Sequence, residues 1–559
     1  MTSTDTHTTV LDESPAPMKH RQVLEALSGI LLGMFVSILA SSIVSSSLPR
    51  IVSDLHGGQE AFTWVVTATL LTMTISTPIW GKLADITNRK LLIQLALVIS
   101  VLSAAAAGFS QNTAELITFR AFQGIGAGGL TALGSVLIAD IISPRERGRY
   151  MGLMGAVMGI GMVGGPILGG TLTDSLGWRW NFFIGLPFAL AAIVVLQRTL
   201  HLPPMKRKTV SIDYLGASLI SVGVAGLLIW VTYAGTKFDW VSVPSAVFVL
   251  GSLAVLALAV WAESRAADPI VPLRLFKNRM VVVSVVASVF VGVAMFGSSV
   301  FLSQYMQVSR GQTPTVSGLL TIPMVIGLLG SSTVSGNLIS RTGRYKSFMI
   351  AGSLLLAGGL GLMGTIDYHT SIPLICVFLF VIGVGVGMLM QNLVLVAQNT
   401  LDIKDMGAGT ASIAFFRTLG GAIGVSVLGA ILGTKVASGI ASGLKGLGID
   451  AGSSGLSGDI PDVSTLPGPI KDVVEHAYGD GIAEIFLVAA PLALIAFLAV
   501  LFIKEVALGN RSGVEQRLSA ELGAEGIDLP EDGVVGDQVA GAALGRGPED
   551  RDEVAKVEA

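Results

Sequence analysis

Between Val23 and Phe502 the chain runs through fourteen apolar stretches of membrane-spanning length, with charge confined almost entirely to the short gaps between them. A bilayer core takes about 20 apolar residues per helical crossing. Strands or loops facing lipid would leave backbone N–H and C=O groups unpaired, so the stretches must be helices. The expected fold is therefore an all-α polytopic membrane protein with 14 transmembrane helices. Its chemistry has to lie in the few polar residues that those helices carry.

Composition agrees. Of 559 residues, 52% are hydrophobic and only 13% charged, against about 25% charged in a soluble domain. The net charge of −3 sums two faces of a membrane and indicates no partner. The single cysteine, Cys376, excludes an intrachain disulfide. The polar first twenty residues lack the apolar core of a signal peptide, so the first stretch reads as a retained helix. Arginine and lysine cluster in alternate loops, at Lys82, Arg89 and Lys90, at Arg145, Arg147 and Arg149, at Lys206–Lys208, at Arg265–Arg279 and at Arg341–Lys346. The positive-inside rule places those loops, and with them both termini, in the cytoplasm.

A segment recurs. Gly81-Lys-Leu-Ala-Asp-Ile-Thr-Asn-Arg89 returns, weakened, as Gly336-Asn-Leu-Ile-Ser-Arg-Thr-Gly-Arg344, each after the second helix of its half. This divides the chain into an N-terminal tail (1–22), a six-helix bundle (23–199), an inserted helix pair with its flanking loops (200–279), a second six-helix bundle (280–503) and an acidic, aromatic-poor tail (504–559) expected to be disordered. Within the second bundle, 434–481 reads as a long Gly/Ser/Pro-rich outer loop with a short amphipathic helix over Lys471–Tyr478, and the last span as 482–503. Repeated bundles around a midplane cavity are a common architecture for alternating access.

Four groups of residues carry the functional signal. In the first basic loop, Gly81, Asp85, Arg89 and Lys90 set a carboxylate among cations, suited to charge-assisted bonds with neighbouring helix ends that latch and release a gate. Arg120 lies inside the fourth span, in Arg120-Ala-Phe-Gln123-Gly124, where an ionisable residue is costly and marks function by default. Gly124, Thr131 and Ser135 project near the same side and are expected to line a cavity. The fifth span carries Gly152, Gly161, Gly165-Pro166 and Gly169-Gly170, small residues that allow close helix approach and a proline that frees a backbone carbonyl. This glycine face is expected to slide against the opposite bundle.

The loop resembles the signature G-x-L-A-D-(R)-x-G-R-(K/R) of the major facilitator superfamily, with Asn88 in place of its glycine and Ile86 in place of a basic residue. Asparagine tolerates the left-handed backbone better than most residues, so Asn88 is expected to be a mild change. Arg120-x-x-Gln123-Gly124 resembles the fourth-helix signature, whose arginine is associated with proton coupling. The spacing G-x8-G-x3-G-P-x2-G-G resembles the antiporter signature of the superfamily's drug exporters. The chain as a whole, over about 20–505, resembles the fourteen-helix drug:proton antiporter family. The first helix fits the frame L-D-x-T-I-V-x-x-A-L-P as Leu39 to Pro49, but Ala40 replaces the acid.

That resemblance implies a major facilitator fold and a plasma (inner) membrane exporter of small amphipathic drugs or natural products. It implies proton antiport with the proton gradient as energy source, no cofactor, no metal and no nucleic-acid partner. A monomer in the lipid bilayer is expected. Ser41 and Ser45 in the first helix and Arg417 in the thirteenth are candidates for the substrate cavity. No acid is found deep in a span; Glu115 and Glu484 sit near outer ends and Asp140 near an inner one. Two intramembrane arginines without deep carboxylates point to neutral or anionic substrates. The competing readings are a metabolite importer or symporter, a lipid exporter, and a non-transporting membrane scaffold. No nucleotide loop, metal-ligand cluster or nucleophile paired with a base suggests an enzyme.

Overall fold

The computed structural model describes residues 20–141, 144–199, 213–234, 237–266, 269, 271–401, 403–448 and 466–506. The terminal tails before residue 20 and after residue 506 lie outside the described residues. The first bundle comprises α1 (His20–Asp54), α2 (Gln59–Ile86), α3 (Arg89–Gly108), α4 (Thr113–Ile141), α5 (Pro144–Ser175) and α6 (Trp180–Thr199). The inserted pair is α7 (Tyr214–Tyr233) and α8 (Val243–Arg265). The second bundle comprises α9 (Arg279–Ser309), α10 (Pro314–Leu319 continued by Ile322–Thr342), α11 (Lys346–Met363), α12 (Ile372–Gln398), α13 (Ile403–Gly446) and α14 (Gly468–Leu501). Twelve of these are long and apolar enough to cross a membrane among the described residues. The 29-residue α4 and 32-residue α5 complete the expected fourteen.

Two spans are broken for the same reason. The α6 helix is interrupted after Phe183, four residues before Pro187, and α10 after Leu319, four residues before Pro323. Proline has no N–H for the carbonyl four residues back, so the ladder lapses there.

The repeat seen in the loops extends to the packing. In the first bundle α4 packs on α2 and α3, and α1 on α5 and α6. Adding eight to each number gives the second bundle: α12 packs on α10 and α11, and α9 on α13 and α14. The bundles meet through a symmetry-related pair of seams, α2 against α13 and α5 against α10. Among the described residues the inserted pair covers the α2–α13 seam, because α7 packs on both α2 and α13. It is tied to α2 by Lys237 Nζ, 3.0 Å from Glu60, and by the Tyr233 ring, 5.8 Å from Trp64.

The expected outer loop 434–481 is corrected. The α13 helix is 44 residues long and runs on to Gly446, while α14 is 34 residues long and starts at Gly468, so Lys471–Tyr478 belongs to a continuous α14 rather than to a separate short helix. Residues 449–465 lie outside the described set. At 1.5 Å per residue α13 spans about 66 Å, roughly twice a bilayer core. The glycines that read as loop composition are a packing surface. A Cβ on Gly439 would lie 3.1 Å from the Ala477 Cβ, and one on Gly443 would lie 2.5 Å from Val473 Cγ1. Small residues four apart let α13 and α14 approach closely beyond the core.

Candidate functional site

Arg120 sits two turns into α4 and is 3% exposed. Its Nη1 donates to Gln123 Oε1 at 2.7 Å, and its Nε is buried with no hydrogen-bond partner. No ion pair to a carboxylate forms at Arg120 among the described residues. Gln123 is itself buried, so the arginine is held by a neutral amide one turn away.

The α4 backbone around it is clamped by side-chain donors of α2, three hydroxyls and one indole N–H. Thr69 Oγ1 donates to the Arg120 carbonyl at 3.2 Å, Thr72 Oγ1 to Ala121 at 2.7 Å, and Ser76 Oγ and Trp80 Nε1 to Ile125 at 3.2 and 2.9 Å. These donors recur at three- and four-residue steps, one face of α2. The expectation that Gly124 lines a cavity is corrected by this contact. A Cβ there would overlap Thr72 Oγ1 and the Thr69 carbonyl. Its role is close helix approach. Thr131 bonds back to the Ala127 carbonyl at 2.9 Å, and the side chains of Ser135 and Asp140 lie outside the described set.

The glycine face of α5 is also redirected. Gly161 faces Ile38 and Phe35, Gly165 faces Ser42, and Gly169 faces the Ile43 backbone, all on α1 of the same bundle. Ser42 Oγ and Ser47 Oγ donate to the carbonyls of Met162 and Gly169, each at 3.2 Å. Only Gly170, against the Thr315 backbone, and Pro166, against Gly318, face the opposite bundle. Most of the run therefore seals α5 onto α1, and its last turns make the seam. The surroundings of Gly152 are outside the described set.

In the first basic loop, Arg89 Nε donates to the Ala84 carbonyl at 3.2 Å and Lys90 Nζ to the Gln197 carbonyl at 2.8 Å, tying the start of α3 to the end of α6. The space around Gly81 is open within 4 Å, and the Asp85 side chain is outside the described set. The left-handed backbone expected at Asn88 is not present. Its φ is −61°, and its side chain caps α3 by accepting from Lys90 N at 3.0 Å.

Ser41 is exposed, and Ser45 Oγ donates to the Ser41 carbonyl at 3.0 Å, so one of the two candidate serines has its hydroxyl engaged in its own helix. Arg417 is half-buried on α13, where its carbonyl closely approaches Gly292 of α9. Two buried acids escaped the sequence reading. Glu263, in the last turn of α8, accepts from Val271 N at 3.1 Å. Glu475 lies in the stretch of α14 that reads as loop, 3.7 Å from Lys471 Nζ. Both stand at span ends, where a carboxylate is hard to distinguish from ordinary loop charge. Glu115 is absorbed locally, accepting from Gln111 N and Asn112 Nδ2 at the start of α4, and Glu484 pairs with Lys435 at 2.8 Å.

The hydrogen bonds that join the two bundles among the described residues all lie in the half away from the basic loops, the far end. Thr67 and Ser426 hydroxyls are 3.0 Å apart across the α2–α13 seam, and Asp174 Oδ2 accepts from Thr315 Oγ1 at 2.5 Å across the α5–α10 seam. The molecule is thus closed at its far end.

Comparison with known proteins decides the family, because the Major Facilitator Superfamily profile matches residues 30–425. The chain belongs to the Major Facilitator Superfamily. That membership makes it a multi-pass membrane transporter and not an enzyme. An uncharacterized MFS-type transporter of Mycobacterium tuberculosis is 35% identical over 526 residues, 92% of this chain and 74% of the relative. The multidrug transporter protein MdtP of Bacillus subtilis is 32% identical over 530 residues, 90% and 97% of the two chains. Among solved structures, a bacterial homolog of the human lysosomal transporter Spinster, inward-facing and unoccupied, matches with a TM-score of 0.62 at 14% identity, covering 88% of this chain and 100% of the other. At that identity the likeness speaks for the fold.

Proposed function

We propose that this transporter exports small amphipathic compounds across the plasma membrane by alternating access, in exchange for protons. The observation that carries the reading is the pair of symmetry-related seams, α2–α13 and α5–α10, bonded together at the far end. Two rigid bundles joined at one end are suited to rocking about a central site. The direction of transport draws support from relatives named for efflux, MdtP among them, and from the glycine-proline run of α5. The positive-inside bias supports a cytoplasmic position for the basic loops and both termini, and in this reading the closed far end faces outward.

In this reading Asp85, Arg89 and Lys90 work the cytoplasmic gate and Arg120, oriented by Gln123, takes part in coupling. Arg120 and Arg417 both lie well inside spans, and the buried acids Glu263 and Glu475 stand at span ends. A central site of that charge favours neutral or anionic amphipaths over hydrophobic cations, by the Coulomb cost of placing cations near unneutralised guanidinium groups.

The test is proton movement in inside-out vesicles acidified by respiration, with cationic, neutral and anionic amphipaths added singly. Compound-triggered loss of the pH gradient, absent in Arg120→Ala, is the expected result. Accumulation of labelled compound inside intact cells would instead support import. A response to hydrophobic dications alone would overturn the charge preference while leaving export standing.

A further inference from the structure

The far end is closed by apolar packing, with the Phe62 and Phe301 rings 6.3 Å apart, and by a cluster of uncharged polar groups. Gln304 of α9 is completely buried. Its Nε2 donates to Gln59 Oε1 at 2.5 Å, and its Oε1 accepts from Gln59 Nε2 at 3.4 Å, so two amides from opposite bundles face each other head to head. One residue earlier, Ser303 Oγ donates to the Ser46 carbonyl of α1 at 3.0 Å. Gln307 Nε2 donates to the same carbonyl and to Ser303 Oγ, the latter at 2.9 Å.

The backbone at this point is unusual. Residues Tyr305–Ser309 form a π-helical turn, closed by Arg310 N on the Tyr305 carbonyl at 3.1 Å. Single π-turns within α-helices are uncommon and concentrate at functional positions. This one shifts the register at the end of α9, so that Gln307 reaches α1 while Ser309 Oγ reaches the Glu475 carbonyl of α14 at 2.9 Å. The turn is thus bonded to both bundles at once.

We propose that Gln59 and Gln304, with Ser303 and Gln307 on the Ser46 carbonyl, form a polar latch that holds the far end shut, and that the π-turn aims it. The inference rests on the alternating-access reading above and adds the residues that set the closed state. The physical argument concerns reversibility. A buried glutamine without a partner is expensive, so the closed state must satisfy both amides. Once the seam parts, water replaces each bond almost isoenergetically. An ion pair stripped of water in the same place would carry a desolvation cost that can exceed its attraction, and apolar contacts alone would set no register. A neutral reciprocal pair gives a defined closed position that opens at small cost, which a gate used in every cycle requires.

The test is conformational and needs no substrate. In a Cys376→Ser background, Ser426→Cys is placed on the α2–α13 seam, where the native side chain is fully buried. A membrane-impermeant maleimide is applied separately to intact cells and to inverted vesicles. Gln59→Ala and Gln304→Ala should each raise labelling from one side by about two- to tenfold, the range expected for one buried hydrogen bond. The double variant should label no faster than either single one, because both remove the same bond. Gln59→Glu, whose carboxylate still accepts from Gln304 Nε2, should label less than Gln59→Ala. If Gln304→Ala fails to insert, Gln59→Ala reads the same bond from its half-buried side. Unchanged labelling in Gln59→Ala, or additive effects in the double variant, would overturn the latch. Failure of drug export with these outcomes intact would count against the proposed cargo and leave the latch in place.

Discussion

Asn88 and Gly343 occupy the same place in the repeated loop, yet Asn88 has φ −61° and Gly343 has φ +70°. In the first bundle α3 begins at once, at Arg89, and Asn88 serves as its N-cap. In the second bundle Gly343 ends the preceding helix instead, its N–H bonding the Ile339 carbonyl at 2.8 Å, and α11 starts three residues later. One loop is therefore punctuated at the start of a helix and the other at the end.

The two positions should respond differently to a Cβ. Gly343→Ala is expected to destabilise by about 1–2 kcal/mol, the penalty for an L side chain in the left-handed region. Asn88→Gly should cost a few tenths and Asn88→Ala about 1 kcal/mol, through the lost cap. Thermal unfolding in detergent measures both, and a destabilising Asn88→Gly equal to Gly343→Ala would contradict the assignment.

Gly124 and Gly81 make a second contrast. Gly124→Ala pushes a methyl group into the Thr69 carbonyl, and overpacking of this kind costs about 1–3 kcal/mol. Lower melting temperature and lower membrane abundance are expected, with Arg120 chemistry affected only through misplacement of α4. Gly81→Ala meets open space and should leave the melting temperature unchanged or slightly raised, since alanine favours a helix. A stable Gly124→Ala protein that had lost only proton coupling would restore the cavity reading of that glycine.

Asp174 and Thr315 bind α5 to α10 through two bonds to one carboxylate oxygen, from Thr315 Oγ1 and, at 3.3 Å, from its N–H. Asp174→Ala should loosen that seam by about 1 kcal/mol, and Asp174→Asn, which keeps an acceptor, by less. Hydrogen exchange at the Thr315 amide reads this directly. Identical exchange in all three proteins would mean that Gly170 and Pro166 hold the seam unaided.

The inserted pair carries a pH-dependent tie. The hydrogen bond that Lys237 donates to Glu60, ahead of the Coulomb attraction between them, raises the Lys237 pKa above the ordinary 10.5. A raised cation stabilises the folded state fully below that value and loses the contribution as pH rises past it. Both partners are well exposed, so the pair is worth about 0–1 kcal/mol. Lys237→Met should therefore lower stability slightly at pH 8 and lose its effect above pH 10.5, as followed by melting temperature; a constant difference across that window would exclude the ion pair as its cause.

Much of the candidate site was legible from residue type alone. Arginine in an apolar span, as at 120, is conspicuous because its insertion cost demands a reason. The direction in which a glycine faces was not legible. Gly124, Gly161, Gly165 and Gly169 all met neighbours in their own bundle, and a residue without a side chain gives no periodic signal of which helix approaches it. Glycine spacing misled again at Gly439 and Gly443, where small residues suited to helix packing also resemble a flexible linker.

By itself, the sequence determined the class, the fourteen crossings and the two-fold repeat, because lipid leaves a backbone no alternative to helix and apolar length is a local property. Only the tertiary structure decided that α5 seals onto α1, that α7 covers the α2–α13 seam, and that Gln59 meets Gln304 across 245 positions of chain. Those contacts are made between helices remote in sequence, and a polar residue inside a span shows its meaning only when the group that satisfies it is in place.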